Sequence, residues 1–130
     1  MKLVLAGATG LVGQQVLNLA LDDSRVDRLV TPTRRPLTTS DPKQVAPVVR
    51  FEDLPADADW WQADAVICTL GTTIKKAGSQ QKFREVDHDY PFTVARLARK
   101  HGTPAFVVVS AMGASRDSRV FYSRVKGELE

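Results

Sequence analysis

The chain has 130 residues, 18 Lys+Arg against 15 Asp+Glu for a net charge of +3, and 43% hydrophobic and 25% charged content. Those proportions describe one small globular domain and exclude a disordered charged tail, a collagen-like repeat or a mucin-like stalk. The positive excess is not gathered in one run and aromatics are only 7%, so neither the basic patch nor the reading aromatics of a nucleic-acid binder are expected.

In chain order, Leu3 to Ala6 is a short apolar run ending at Gly7, which reads as a strand buried on both faces. Leu11, Val12, Val16, Leu17, Ala20 and Leu21 follow at helical spacing. The turn Asp22-Asp23-Ser24 closes that helix, although acidic residues suit a helix C-terminus poorly. Val26 to Val30 is a second strand, ended by Thr31-Pro32. With Pro36, Pro42 and Pro47, the stretch Thr33 to Pro47 reads as loop, and Val48 to Phe51 as a weak third strand. Asp64 to Leu70 is a strong fourth strand, ended by Gly71.

A long helical pattern runs from Ser79 to His101, with Phe83, Val86, Tyr90, Val94, Leu97 and Ala98 on one face. Ser79 caps its start, Gly102 and Pro104 stop it, and Pro91 is expected to kink or divide it. Ala105 to Val109 reads as a fifth buried strand, and Ser118 to Glu130 as a last helix with Phe121, Val125 and Leu129 inward. Strands alternating with helices imply a doubly wound α/β domain with a parallel sheet and right-handed crossovers.

The lone Cys68 lies inside the apolar run Ala65-Val66-Ile67-Cys68 and reads as a buried strand thiol, consistent with a reducing cytoplasm. The apolar start Leu3-Val4-Leu5-Ala6 is broken at once by Gly7, with no small-residue cleavage site behind it, so export is not expected. No run approaches the ~20 apolar residues of a membrane span.

Three motifs carry chemistry. Gly7-Ala8-Thr9-Gly10-Leu11-Val12-Gly13 stands where the first strand gives way to the first helix. There the first glycine makes a tight turn, the second lets backbone approach a pyrophosphate, and the third allows close helix–strand packing. The helix N-terminus then holds the phosphate charge. Gly7, Thr9, Gly10, Leu11, Val12 and Gly13 are therefore candidate dinucleotide contacts. Arg34-Arg35 follows the second strand, where an adenosine ribose would lie, and no acid occurs between Leu29 and Ser40. Arginine suits a 2′-phosphate and an acid the free 2′-hydroxyl, so the pair points to NADP, unless both are simply solvated loop residues. Third, Tyr122 and Lys126 stand one helical turn apart. A neighbouring cation favours the phenolate and brings a tyrosine toward the working pH of an acid catalyst. Ser110, at the end of the fifth strand, is a further donor to a carbonyl oxygen.

Asp87-His88-Asp89 does not suit a metal, because adjacent positions on a helix point around it, so a structural or solvated role is expected and no metal site. His101, in a last turn, suits the helix dipole.

Together the glycine pattern, the Tyr-x-x-x-Lys and the serine resemble the short-chain dehydrogenase/reductase superfamily. The blocks Cys68–Ser79, Phe83–Tyr90, Val109–Ala114 and Phe121–Glu130 resemble its atypical, NADPH-binding branch, which includes the Tat-interacting-protein-like proteins, and the likeness covers essentially the whole chain. The resemblance implies a Rossmann-like sheet of order 3-2-1-4-5 across residues 1–130. It implies Gly7 to Gly13 under the pyrophosphate, Leu70, Gly71 and Thr72 along the riboses, Lys126 on the nicotinamide ribose, Tyr122 as the acid, and Asp53 near the adenine.

Ala111 stands where many relatives carry a second serine, which leaves the role of Ser110 open. Relatives also continue into a sixth strand and a substrate-binding segment, so a fragment of a longer protein, or self-association through an uncovered sheet edge, is expected. The reading is an NADPH-binding oxidoreductase domain acting on a carbonyl or sugar-like small molecule. The alternative is a regulator or scaffold that holds NADPH without turnover.

Overall fold

The structure is a computed structural model that describes all 130 residues. Five strands form one sheet: β1 (Lys2–Ala6), β2 (Arg28–Val30), β3 (Gln44–Val45), β4 (Ala65–Cys68) and β5 (Ala105–Val108). Their order is β3-β2-β1-β4-β5 and every pairing is parallel, which is the topology expected. The helices are α1 (Leu11–Asp22), α2 (Ile74–Ala77), α3 (Gln80–Arg84), α4 (Tyr90–Lys100) and α5 (Phe121–Leu129).

Alternation along β1 sends successive side chains to opposite faces. Leu3 and Leu5 join Val26, Leu29 and Ala20 of α1 in one core layer. Val4 and Ala6 join Val66, Cys68, Trp61 and the Val94, Leu97 and Ala98 stripe of α4 in the other. Both faces of β1 are thus buried from Leu3 to Ala6, as its continuous apolar run requires.

Four expectations change. The third strand lies at Gln44–Val45, inside the stretch read as loop, and not at Val48–Phe51. It is an edge strand held only by β2, and Pro47, with no N–H to donate, interrupts the ladder before it touches again at Thr33 and Val48. Leu11 and Val12 were placed on the apolar face of α1 but are 90% and 49% exposed, because the first helical turn stands beyond the end of the sheet. β5 is half-exposed rather than buried: Phe106 and Val108 pack on the core while Val107 and Val109 face outward from an open edge. The last helix begins at Phe121, not Ser118.

The long helix is divided, as Pro91 predicts. Between α3 and α4 the chain makes a widened π turn over Glu85–Asp89. At ordinary pitch the Pro91 ring would clash with the carbonyl of residue 87 and leave that rung unmade, and the wider turn relieves both faults. A short capped helix, α2, was not foreseen: Thr73 Oγ1 accepts the Lys76 N–H at 3.1 Å, and Gly78 closes it at φ +85°.

Candidate functional site

The C-terminal ends of β1, β2 and β4 open into one cleft of about 420 Å³. Its walls come from the glycine turn (Gly7 to Gly10), from Thr33 and Arg34 after β2, and from Thr69 to Thr72 after β4. Lys76, Lys82, Val86, Tyr90 and Phe51 complete it, and no carboxylate lines it.

Each glycine of the turn has a distinct physical reason. Gly7 adopts φ +95°, and a Cβ there would sit 2.6 Å from Thr69 Oγ1 and 2.8 Å from the Leu70 nitrogen. A Cβ on Gly13 would lie 1.9 Å from the Gly7 carbonyl oxygen, so only glycine lets α1 settle this close to the turn. Gly10 is constrained by neither: its nearest neighbour would be 3.6 Å away, and its open side faces the cleft. Gly10 precedes α1 with no side-chain cap, which leaves the first-turn N–H groups of Leu11, Val12 and Gly13 without partners inside the helix. This is a cradle for an anion, and it fits a dinucleotide pyrophosphate.

Arg34 and Arg35 separate. Arg34 lines the cleft; Arg35 does not, and its carbonyl accepts the Thr33 hydroxyl at 2.7 Å. Leu70, Gly71 and Thr72 line the cleft. Asp53 does not. After Phe51 the chain turns back, and Asp53 faces a neighbouring cavity of about 410 Å³ with Glu52, Glu85, Asp89 and Arg96. Phe51 and Tyr90, with ring centres 6.1 Å apart, form the wall between the two cavities.

Ser110, Tyr122 and Lys126 do not line the glycine-turn cleft. The Ser110 hydroxyl donates to the Glu130 carboxylate. Tyr122 is partly exposed, its ring 5.4 Å from that of Phe83, and the Lys126 ammonium lies 6.0 Å from its ring centre. Lys126 itself is buried, paired at 2.7 Å with Asp87, which is buried too. The other Asp87 oxygen accepts the Thr72 N–H at 2.9 Å. Asp87 is thus structural rather than solvated: it ties α5, the π turn and the cleft wall together. Its neighbours diverge from it, with His88 hydrogen-bonded to Asp89 and stacked on Phe92. His101 ends α4 with its ring 2.7 Å from the Ala56 carbonyl.

Burial pushes the Cys68 thiol up to about 11, which makes it a poor nucleophile.

Lys76, the Phe51–Tyr90 wall and the pairing of Asp87 with Lys126 were not foreseen. Lys76 had a usable signal, since ligands of open α/β sheets gather at the carboxyl ends of strands and Lys76 follows β4 closely. The Asp87–Lys126 pairing had none, because the two residues stand far apart along the chain.

Comparison with known proteins agrees with this geometry. The pattern of the NAD(P)H-binding family matches residues 7–129. Among curated proteins, FMP52 of Candida albicans, named as mitochondrial, is 32% identical over 139 aligned residues that take in 100% of this chain and 59% of the relative. The mitochondrial fmp52 of Aspergillus niger is 33% identical, covering 99% of this chain and 58% of the relative. The chain therefore spans little more than half the length of these relatives. Among solved structures, MoeE5 in complex with UDP-glucuronic acid and NAD superposes with a TM-score of 0.77 at 15% identity, over 97% of this chain and 46% of that one. A nucleoside-diphosphate-sugar epimerase from Agrobacterium tumefaciens gives 0.75 at 14%, over 99% and 46%. At such identities the likeness is one of fold. The relatives also overturn the cytoplasmic location expected from Cys68, since they are named mitochondrial. A single buried thiol suits any reducing compartment and does not choose among them.

Proposed function

Because this chain belongs to the NAD(P)H-binding family, we propose that it is the cofactor-holding domain of an oxidoreductase that prefers NADPH and reduces a carbonyl or sugar-like small molecule. One observation carries the preference: Arg34 shares an acid-free cleft with the glycine turn. An acid at the end of β2 would accept the 2′-hydroxyl of NAD and repel a 2′-phosphate; a guanidinium does the reverse.

In this reading the first-turn N–H groups of α1 hold the pyrophosphate, Arg34 the 2′-phosphate, and Leu70 to Thr72 the riboses. The nicotinamide, when bound, supplies the hydride. Tyr122 delivers a proton from its hydroxyl to the substrate carbonyl oxygen. Lys126 and Ser110 act beside it, Lys126 from the position Asp87 dictates.

A second reading, a domain that holds NADPH without turnover, is favoured by a different observation. The Lys126 charge is matched by Asp87 rather than left free for Tyr122, and neither Tyr122 nor Lys126 lines the cleft.

Titration with NADPH and NADH tests the cofactor assignment. A charge-assisted contact is worth about 1.5–3 kcal/mol, or roughly tenfold to a hundredfold in affinity. NADPH should bind tighter than NADH by that factor, Arg34→Ala should abolish the difference, and Arg35→Ala should leave it. Equal affinities in the parent protein would overturn the NADPH preference, and NADPH binding without reduction of any carbonyl in a broad panel would put the second reading first.

A further inference from the structure

The cleft holds more positive charge than one 2′-phosphate needs. Arg34, Lys76 and Lys82 all line it, and no Asp or Glu does. Lys82 is already engaged, its ammonium 3.0 Å from a Glu85 carboxylate oxygen and 3.4 Å from the Tyr90 hydroxyl. Arg34 and Lys76 meet no carboxylate.

Topology places these two cations on opposite flanks of the glycine turn. β1, which leads into the turn, is central; β2, which leads to Arg34, pairs on one side and β4, which leads to Lys76, on the other. The β4 side is clamped to the turn, because Thr69 Oγ1 donates to the Gly7 carbonyl at 3.0 Å. Lys76 follows seven positions later on α2, a single turn of helix stiffened by the Thr73 cap and the left-handed Gly78.

We propose that Lys76 is a second phosphate-binding residue of this cleft, closing on the pyrophosphate from the β4 side while the glycine turn holds it from below. The inference rests on the dinucleotide reading above and adds a division of labour to it. The pyrophosphate is common to NADH and NADPH, whereas the 2′-phosphate belongs to one of them. Lys76 therefore sets how tightly either cofactor binds, and Arg34 sets which is preferred. The chemistry is that of an ammonium point charge, which needs no bidentate geometry.

The test is a set of titrations on the intact chain with Lys76→Gln, Lys76→Arg and Lys75→Gln. Lys76 and Lys75 are both exposed, so neither change threatens the fold. Lys75 carries the same charge on the same helix but does not line the cleft, so it controls for net charge alone. Lys76→Gln should weaken NADPH, NADH and ADP-ribose alike, by about tenfold at low ionic strength, with the NADPH-to-NADH ratio unchanged. Adenosine 2′-monophosphate, which lacks the pyrophosphate, should bind as to the parent. Lys76→Arg should restore most of the affinity, and Lys75→Gln should change it little. Parent-like affinities in Lys76→Gln, or a loss confined to NADPH, would overturn the role of Lys76 while leaving the cofactor reading intact. A parent chain that binds none of the dinucleotides would overturn both.

Discussion

The Lys126 ammonium lies 2.7 Å from the Asp87 carboxylate, with the two side chains 4% and 1% exposed. Lys126 comes from α5 and Asp87 from the π turn, and Asp87 also accepts the Thr72 N–H. The residue that a Tyr-x-x-x-Lys reading assigns to the cofactor ribose is therefore also a structural pin. A carboxylate here matches the lysine charge, where a neutral amide would only hydrogen-bond it.

Breaking this pair should be costly. Removing one partner of a buried ion pair leaves the other charge without compensation, typically a loss of about 3–5 kcal/mol. Asp87→Ala and Asp87→Asn should both lose stability of that order in urea unfolding, because one amide oxygen cannot serve the Lys126 ammonium and the Thr72 N–H together. The double variant Asp87→Leu, Lys126→Met should recover most of the loss. A single variant as stable as the parent would show the pair contributes nothing.

The glycine turn should separate folding from binding. Gly13→Ala forces a Cβ to within 1.9 Å of the Gly7 carbonyl, backbone against backbone, and should cost about 3 kcal/mol or more. At Gly10 an added Cβ meets only an ordinary 3.6 Å contact. Gly10→Ala should stay within about 1 kcal/mol of the parent and instead weaken dinucleotide binding. Thermal melts with and without NADPH distinguish the two outcomes.

Tyr122→Phe keeps the ring that packs 5.4 Å from Phe83 and deletes only the hydroxyl. NADPH affinity should stay within about twofold, while single-turnover hydride transfer to a carbonyl should fall about 10²–10⁴-fold, the usual worth of general acid catalysis. Transfer at the parent rate would remove Tyr122 from the mechanism.

Cys68 predicts an alkaline weakness. Burial raises its thiol from 9.0 to about 11, so the folded chain keeps a proton that the unfolded chain gives up. The stabilisation is complete below pH ~9 and is lost as pH rises through about 11, on the order of 2–3 kcal/mol. Unfolding midpoints compared between the parent and Cys68→Ala across pH 8.5–11 should converge over that window. Parallel curves would contradict it.

Local pattern was enough for most of the elements and their succession along the chain, though not for β3 or α2. Apolar runs ended by glycine marked β1 and β4, because a strand buried on both faces must be apolar throughout and must then turn. Three-and-four spacing marked the Val94–Leu97–Ala98 stripe, and the missing N–H of Pro91 foretold the break before α4. The glycine turn was legible because its demands, a positive φ at Gly7 and no Cβ at Gly13, fall on neighbours in the chain.

Whatever depends on distant residues was decided only by the tertiary structure. Two acids close α1, an unfavourable ending by local rules, yet Lys43 arrives from beside β3 to hydrogen-bond the Leu21 and Asp23 carbonyls at 3.0 and 3.3 Å. The edge strand β3 took its register from β2 and not from its own proline-rich sequence. Arg34 and Arg35, alike as adjacent residues, were parted by which side of the chain met the cleft. The family resemblance implies a ribose as the ligand of Lys126, and packing gives it a carboxylate. A buried ammonium needs a nearby opposite charge, and only the folded chain brings Asp87 within reach of it.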